Sequence, residues 1–143
     1  MSDTTQARMR HIYEQWHETI QSRDLDGIMA LYAEDAIFES PAVLAVLRDR
    51  DEGILRGKSE ITRLFATNFR VLSGTFSVLY RTGVFLANGE LLMWEYPRKT
   101  PTGEQVDLVE SMDIENGLIV YHRVYWGWKG FKTLMAARER PSD

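Results

Sequence analysis

The hydrophobic period passes from helical early in this chain to strand-like in its second half, and that succession limits the fold more than any single residue does. In the first part, Met9, Ile12, Tyr13, Trp16 and Ile20 recur at helical spacing and make one apolar face. Ser22-Arg23-Asp24 closes that helix, and Asp24 is a good N-cap for a short second one carrying Leu25, Ile28, Met29 and Tyr32, with Asp26 in its positive first turn. Ala36 to Ser40, before Pro41, reads as a strand, and Gly53 to Gly57 as another. A third helix starts at about Ser59, with Ile61, Leu64, Phe65, Phe69 and Leu72 on one face. After it the pattern is that of strands. Thr75 to Ala87 turns at Asn88-Gly89 into Glu90 to Arg98; Thr100-Pro101-Thr102-Gly103 leads into Glu104 to Ile114; Glu115-Asn116-Gly117 leads into Leu118 to Trp128. Helices followed by a meander imply an α+β fold with the helices packed on one face of the sheet.

Other classes of protein are excluded by what the sequence lacks. With 143 residues the chain fits one domain, and with no cysteine it has no disulfide, thiol chemistry or Cys-ligated metal. The three histidines, His11, His17 and His122, have no zinc-binding spacing, and no phosphate-binding or dinucleotide motif is present, so neither metal nor cofactor is expected. A net charge of −4 with scattered Lys and Arg argues against nucleic acid as a partner. No apolar run is long enough to span a membrane, and Met1 to Arg10 is polar, so the expected compartment is the cytoplasm.

Strand parity then selects candidate site residues. In Val106 to Ile114 one face is Val106, Leu108, Glu110, Met112 and Ile114, which sets a single carboxylate in an apolar stripe; the other is Asp107, Val109, Ser111 and Asp113. Such a Glu is either an acid–base group or a hydrogen-bonded residue at a core edge. In the last strand Val120, His122, Val124, Trp126 and Trp128 share a face, and inward tryptophans bring His122 inward too. A Glu110–His122 pair on neighbouring strands would be a general-base dyad; the alternative is a hydrogen-bonded core His. Ser40 has the parity of Phe38. Trp16, Tyr32, Phe38, Phe65, Phe69, Trp94, Met112, Val124 and Trp126 are the candidate lining of a pocket for a flat or hydrophobic ligand, or else ordinary core. Ala42 to Glu52, apolar and then charged from Arg48 to Glu52, is either a solvated loop, a lid or a dimer contact.

Several motifs in order carry a family likeness: Asp24-Leu25-Asp26-Gly27, Leu31-Tyr32-Ala33-Glu34-Asp35-Ala36, Ser40-Pro41, Arg56-Gly57-Lys58-Ser59-Glu60-Ile61 and Asn116-Gly117-Leu118-Ile119-Val120-Tyr121-His122. From about residue 8 to 128, between short polar tails, the chain resembles the SnoaL-like polyketide cyclases and ketosteroid isomerases of the nuclear transport factor 2-like superfamily. The resemblance implies a cone of three helices packed in a curved mixed or antiparallel sheet around an apolar cavity, and a homodimer formed through the outer sheet face.

It also shows departures. Ser40 stands where ketosteroid isomerases carry the basic Asp, Trp16 where they carry a Tyr donor, and Glu110 where they carry a protonated Asp. The SnoaL-type cyclases place an Asp two residues after the last-strand His; here that position is Val124. Of the Arg and two Asp of epoxide hydrolases of this fold, Asp107 matches one, with Gln105 at the Arg position. The resulting expectation is a cofactor-free acid–base enzyme for a hydrophobic small molecule, an isomerase, cyclase or lyase, with Glu110, His122 and Ser40 as its reacting groups. The alternative is a non-catalytic binding or dimerisation module, or a subunit that recruits another protein through Val109, Tyr121 and Tyr125.

Overall fold

Asp3–Ser22 winds into one long helix, α1, whose buried side is Met9, Ile12, Tyr13, Trp16 and Ile20, with His17 and Thr19 beside them. It ends because Arg23 turns left-handed, at φ +56°. The Asp24 N–H then bonds back to the Thr19 carbonyl at 2.9 Å and the Arg23 N–H to that of Ile20 at 3.3 Å, closing two open helix carbonyls. Asp24 then caps α2 (Leu25–Met29), its side chain accepting from the Gly27 N–H at 3.0 Å. The computed structural model describes residues 3–71, 83–98, 100–102 and 105–139.

The remaining elements are β1 (Tyr32–Glu39), α3 (Ala42–Val46), β2 (Ile54–Arg56), α4 (Lys58–Val71), β3 (Leu86–Asn88), β4 (Leu91–Tyr96), β5 (Leu108–Glu115), β6 (Leu118–Trp126) and α5 (Trp128–Glu139). The strands form one mixed sheet in the order β2-β1-β6-β5-β4-β3. All pairs are antiparallel except β1 with β6, which are parallel, with Phe38 opposite His122. The apolar core lies between the sheet and α1, α2 and α4. At the β5–β6 hairpin Asn116 and Gly117 take φ +52° and +78°, the backbone a two-residue turn between twisted strands needs. At the earlier hairpin the paired ends are Asn88 and Leu91, so the loop is Gly89-Glu90, one residue later than the Asn-Gly reading placed it.

The α+β class stands, with five helices among the described residues rather than three. Tyr32 opens β1 instead of ending the second helix. Trp128 is not in the last strand: it begins α5, a twelve-residue helix where a polar tail was expected, and is 65% exposed. The apolar start of the Ala42 to Glu52 segment is helical, as α3. Strand parity slips in β6, as it does between Tyr32 and Ile37 of β1. Asp113 pairs with Tyr121 but Ile114 with Ile119, which leaves Val120 as an extra residue, so Ile119 is fully buried and Val120 is not. Leu72, Thr75 to Thr82 and the Gly103-Glu104 turn residues lie outside the described residues.

Candidate functional site

Three layers of the fold meet around a cavity of about 400 Å³. The sheet contributes Phe38 and Ser40 from β1 and its end, Tyr96 from β4, Leu108 and Glu110 from β5, and His122, Val124 and Trp126 from β6. α1 supplies Trp16 and Ile20, and α4 supplies Leu64, Phe65 and Asn68. The roof comes from Ala42, Ala45 and Val46 of α3 and Thr133 and Leu134 of α5.

Register brings the two expected polar groups together. Glu110 lies opposite Val124, and His122 lies opposite Met112, so Glu110 and His122 are diagonal neighbours on one face. That separation suits two long side chains. His122 Nε2 and Glu110 Oε2 are hydrogen-bonded, and the two residues are only 1% and 6% exposed. The other imidazole nitrogen, Nδ1, lies 2.7 Å from the Tyr32 hydroxyl. Burial, above all, pushes that hydroxyl well above the usual tyrosine range; the Trp16 indole beside it pulls the other way, and the Glu110 charge adds to the rise. A phenol that keeps its proton donates to Nδ1, which leaves the hydrogen of a neutral imidazole on Nε2, facing the carboxylate. Glu110 Oε1 takes no hydrogen bond from the described residues.

Ser40 sits beside this chain with both acceptor positions engaged. Its Oγ receives the Ala42 N–H at 3.1 Å and the Trp126 indole N–H at 3.0 Å, so its own hydrogen is left to donate, and no described residue accepts it. Phe38 packs edge-on against His122, with ring centroids 4.8 Å apart. Rings and aliphatic walls thus surround a small polar floor, an arrangement that weakens screening of any charge formed there.

The structure separates the expected lining residues into two groups. Trp16, Phe38, Phe65, Val124 and Trp126 line the cavity, as do Ser40, Glu110 and His122. Tyr32, Phe69, Trp94 and Met112 do not. Tyr32 stands behind His122, Trp94 backs the Trp16 ring at 5.4 Å, Met112 is fully buried opposite His122, and Phe69 packs against the core from α4. Asp107, a match to one epoxide hydrolase acid, is engaged elsewhere. Its carboxylate accepts the Gly130 N–H at 2.9 Å in the first turn of α5 and pairs with Arg98 at 3.4 Å. Among the described residues no cluster of three or more His, Asp or Glu is placed to hold a metal ion.

Sequence reasoning missed Tyr96, Asn68 and the α5 part of the roof; the α3 part lies in the Ala42 to Glu52 segment, for which a loop, a lid and a dimer contact were all open. Tyr96 had the signal, since it alternates with Trp94 on β4. Its hydroxyl lies 2.7 Å from His17 Nε2, and His17 Nδ1 in turn lies 2.8 Å from the Tyr13 carbonyl. That carbonyl only accepts, so it takes the Nδ1 hydrogen, and the Nε2 side of the ring meets the Tyr96 hydroxyl.

Residues 13–122 match the SnoaL-like domain, most of the chain and both members of the buried pair. The protein belongs to the SnoaL-like family. The fold is also that of a SnoaL-like protein of unknown function from Burkholderia thailandensis E264, with a TM-score of 0.68 and 19% identity over 86% of this chain and 97% of that one. It is shared by a candidate ketosteroid isomerase from Kribbella flavida DSM 17836, with a TM-score of 0.55 and 17% identity over 85% and 78%. TerC, co-crystallised with polyporic acid, matches with a TM-score of 0.62 and 16% identity over 90% and 98%. A comparison with curated proteins finds no match. Identities this low establish the SnoaL-like cone and leave its chemistry to the site. No helix among the described residues is long and apolar enough to cross a membrane.

Proposed function

We propose that this SnoaL-like protein is a cofactor-free acid–base enzyme that moves a proton on a hydrophobic small molecule, in the manner of an isomerase, cyclase or lyase. The observation that carries this reading is the Tyr32–His122–Glu110 chain, buried at the floor of an apolar cavity with one carboxylate oxygen left for a ligand. In the proposed step Glu110 Oε1 takes a proton from a carbon or hydroxyl of the ligand. His122 holds Oε2 through its Nε2–H, and Tyr32 holds His122. The electron pair left behind moves onto a ligand oxygen, to which the Ser40 hydroxyl donates. Return of the proton from Glu110 to another carbon completes an isomerisation. Trp16, Phe38, Phe65, Val124 and Trp126 position the apolar body and exclude water.

The test is hydrogen–deuterium exchange at carbons next to the carbonyl of cyclic ketones, followed by NMR in D₂O. Wild type is expected to accelerate exchange, and Glu110→Gln to abolish it with folding intact. A fully active Gln variant overturns the reading.

Ser40 and Val124, standing where relatives carry acids, favour a second reading as a non-catalytic binding module; ligand binding without any exchange would establish it. The outer sheet face, with Tyr125 56% exposed beside Val109 and Tyr121, is proposed as a homodimer contact, which sedimentation would reveal as twice the monomer mass.

A further inference from the structure

A carboxylate taken out of water is costly unless it is paired, and Glu110 is bonded on one side alone. Its Oε2 has the His122 N–H, from an imidazole that stays neutral because Tyr32 donates to the other ring nitrogen. Its Oε1 has no partner among the described residues. That oxygen differs from the described side-chain atoms that are unbonded and sealed from water, Trp16 Nε1, Trp94 Nε1 and Asn68 Oδ1. The Glu110 side chain keeps 7% of its surface, and it lines the cavity. No lysine or arginine is among the described residues of the cavity lining, so the chain supplies the carboxylate with no counter-charge there.

The surroundings of this oxygen are aromatic. Trp16, Phe38, Phe65 and Trp126 line the same cavity, and the faces of such rings are negative. Ring faces and a half-bonded carboxylate together attract a cation and repel an anion. A neutral hydroxyl bonds to Oε1 but leaves the charge uncompensated, whereas an ammonium group both bonds to it and neutralises it.

We propose that this cavity binds a hydrophobic amine as its ammonium ion, with one N–H donated to Glu110 Oε1 and the apolar body held among the four rings. The inference rests on the cavity being the ligand site, as in the proposed function, but not on the proton transfer. An ammonium group on Oε1 occupies the atom that would take the substrate's proton, so the amine is expected to block that step.

The experiment is isothermal titration calorimetry at neutral pH with three compounds of one body, 2-naphthylmethylamine, 2-naphthylmethanol and 2-naphthoate, and then with the same trio on cyclohexyl and biphenyl bodies. Wild type is expected to bind an amine at least about tenfold more tightly than its alcohol, and to bind the carboxylates least. Glu110→Gln is expected to bind amine and alcohol alike. An amine preference that survives in Glu110→Gln places the cation elsewhere and overturns the assignment. Wild type decides even if that variant does not fold: alcohols or carboxylates bound as tightly as the amines on every body, non-binding of all included, overturn it too. The exchange assay on cyclic ketones separates the two readings. Exchange without an amine preference removes this inference alone, and an amine preference without exchange removes the acid–base reading and leaves an amine-binding site.

Discussion

The floor and the roof of the cavity are built in opposite ways. The floor belongs to β5 and β6, where Glu110 and His122 are almost wholly buried and each is held by a neighbour. The roof is α3, five residues long, and α5, of which Gly130 is the buried residue. What joins α3 to α5 is exposed: Arg48 donates to the Ala137 and Arg138 carbonyls at 3.2 and 3.1 Å, and Arg138 donates to the Leu44 carbonyl at 2.6 Å. The outer side of α5 shows Trp128, Phe131 and Met135 at 65%, 45% and 47% exposure. Side chains held by buried hydrogen bonds move little, whereas an element with few buried contacts opens at low free energy. On the proposed function, the chemistry would sit on the fixed side of the cavity and passage of a ligand would fall to the other side.

The floor should break hardest. His122→Ala leaves the Glu110 carboxylate and the Tyr32 hydroxyl buried without their partner, and about 3–5 kcal/mol of stability should be lost, read from urea unfolding. A loss under about 1 kcal/mol would show the floor to be no firmer than the roof. Tyr32→Phe is gentler, since it removes one hydroxyl and leaves His122 Nδ1 without a donor, for about 1–3 kcal/mol. It also sharpens the comparison through pH. The folded-state pKa of Tyr32 is raised, so above pH of about 10 the unfolded chain releases a proton that the folded one keeps. Wild-type stability should therefore fall as pH rises through that range, and fall less steeply in Tyr32→Phe. Equal slopes would show that Tyr32 is not held neutral in the fold.

The same division governs what the sequence displays. The floor was legible because side chains alternate along a strand: Glu110 falls with Leu108, Met112 and Ile114, and His122 with Val124 and Trp126, past the extra residue Val120. Tyr32 was not legible, because Ile28, Leu31 and Tyr32 continue a helical spacing into β1. The exposed Glu34 and Asp35, where the pairing of β1 with β6 shifts register, then hide the alternation of that strand. The roof was hidden by a coincidence of periods. Val124, Trp126 and Trp128 alternate straight through Gly127, while Trp128, Phe131 and Met135 also fit a helix. What decides between them is Asp107, whose backbone carbonyl and carboxylate receive the Gly127 and Gly130 N–H groups at 2.7 and 2.9 Å, a contact between distant parts of the chain. Asn68 was unreadable for a related reason, since a polar residue on an amphipathic helix is usually a solvated one.

The smallest expected effect on global stability tests the roof directly. Replacing Arg48 and Arg138 together by Ala removes the exposed bonds between α3 and α5, and exposed charged contacts of this kind contribute little overall, so the urea midpoint should move by less than about 1 kcal/mol in free-energy terms. Local opening is another matter. With the clasp gone, α5 keeps Asp107 at its first turn but loses what ties its last turn to α3. Amide exchange should quicken in the C-terminal half of α5 and in α3, while β5 and β6 exchange at wild-type rates. Ligand on- and off-rates should rise together, leaving affinity nearly unchanged. Uniform acceleration across roof and floor would mean that the two regions open as one unit, and the contrast between a fixed floor and an opening roof would then fail.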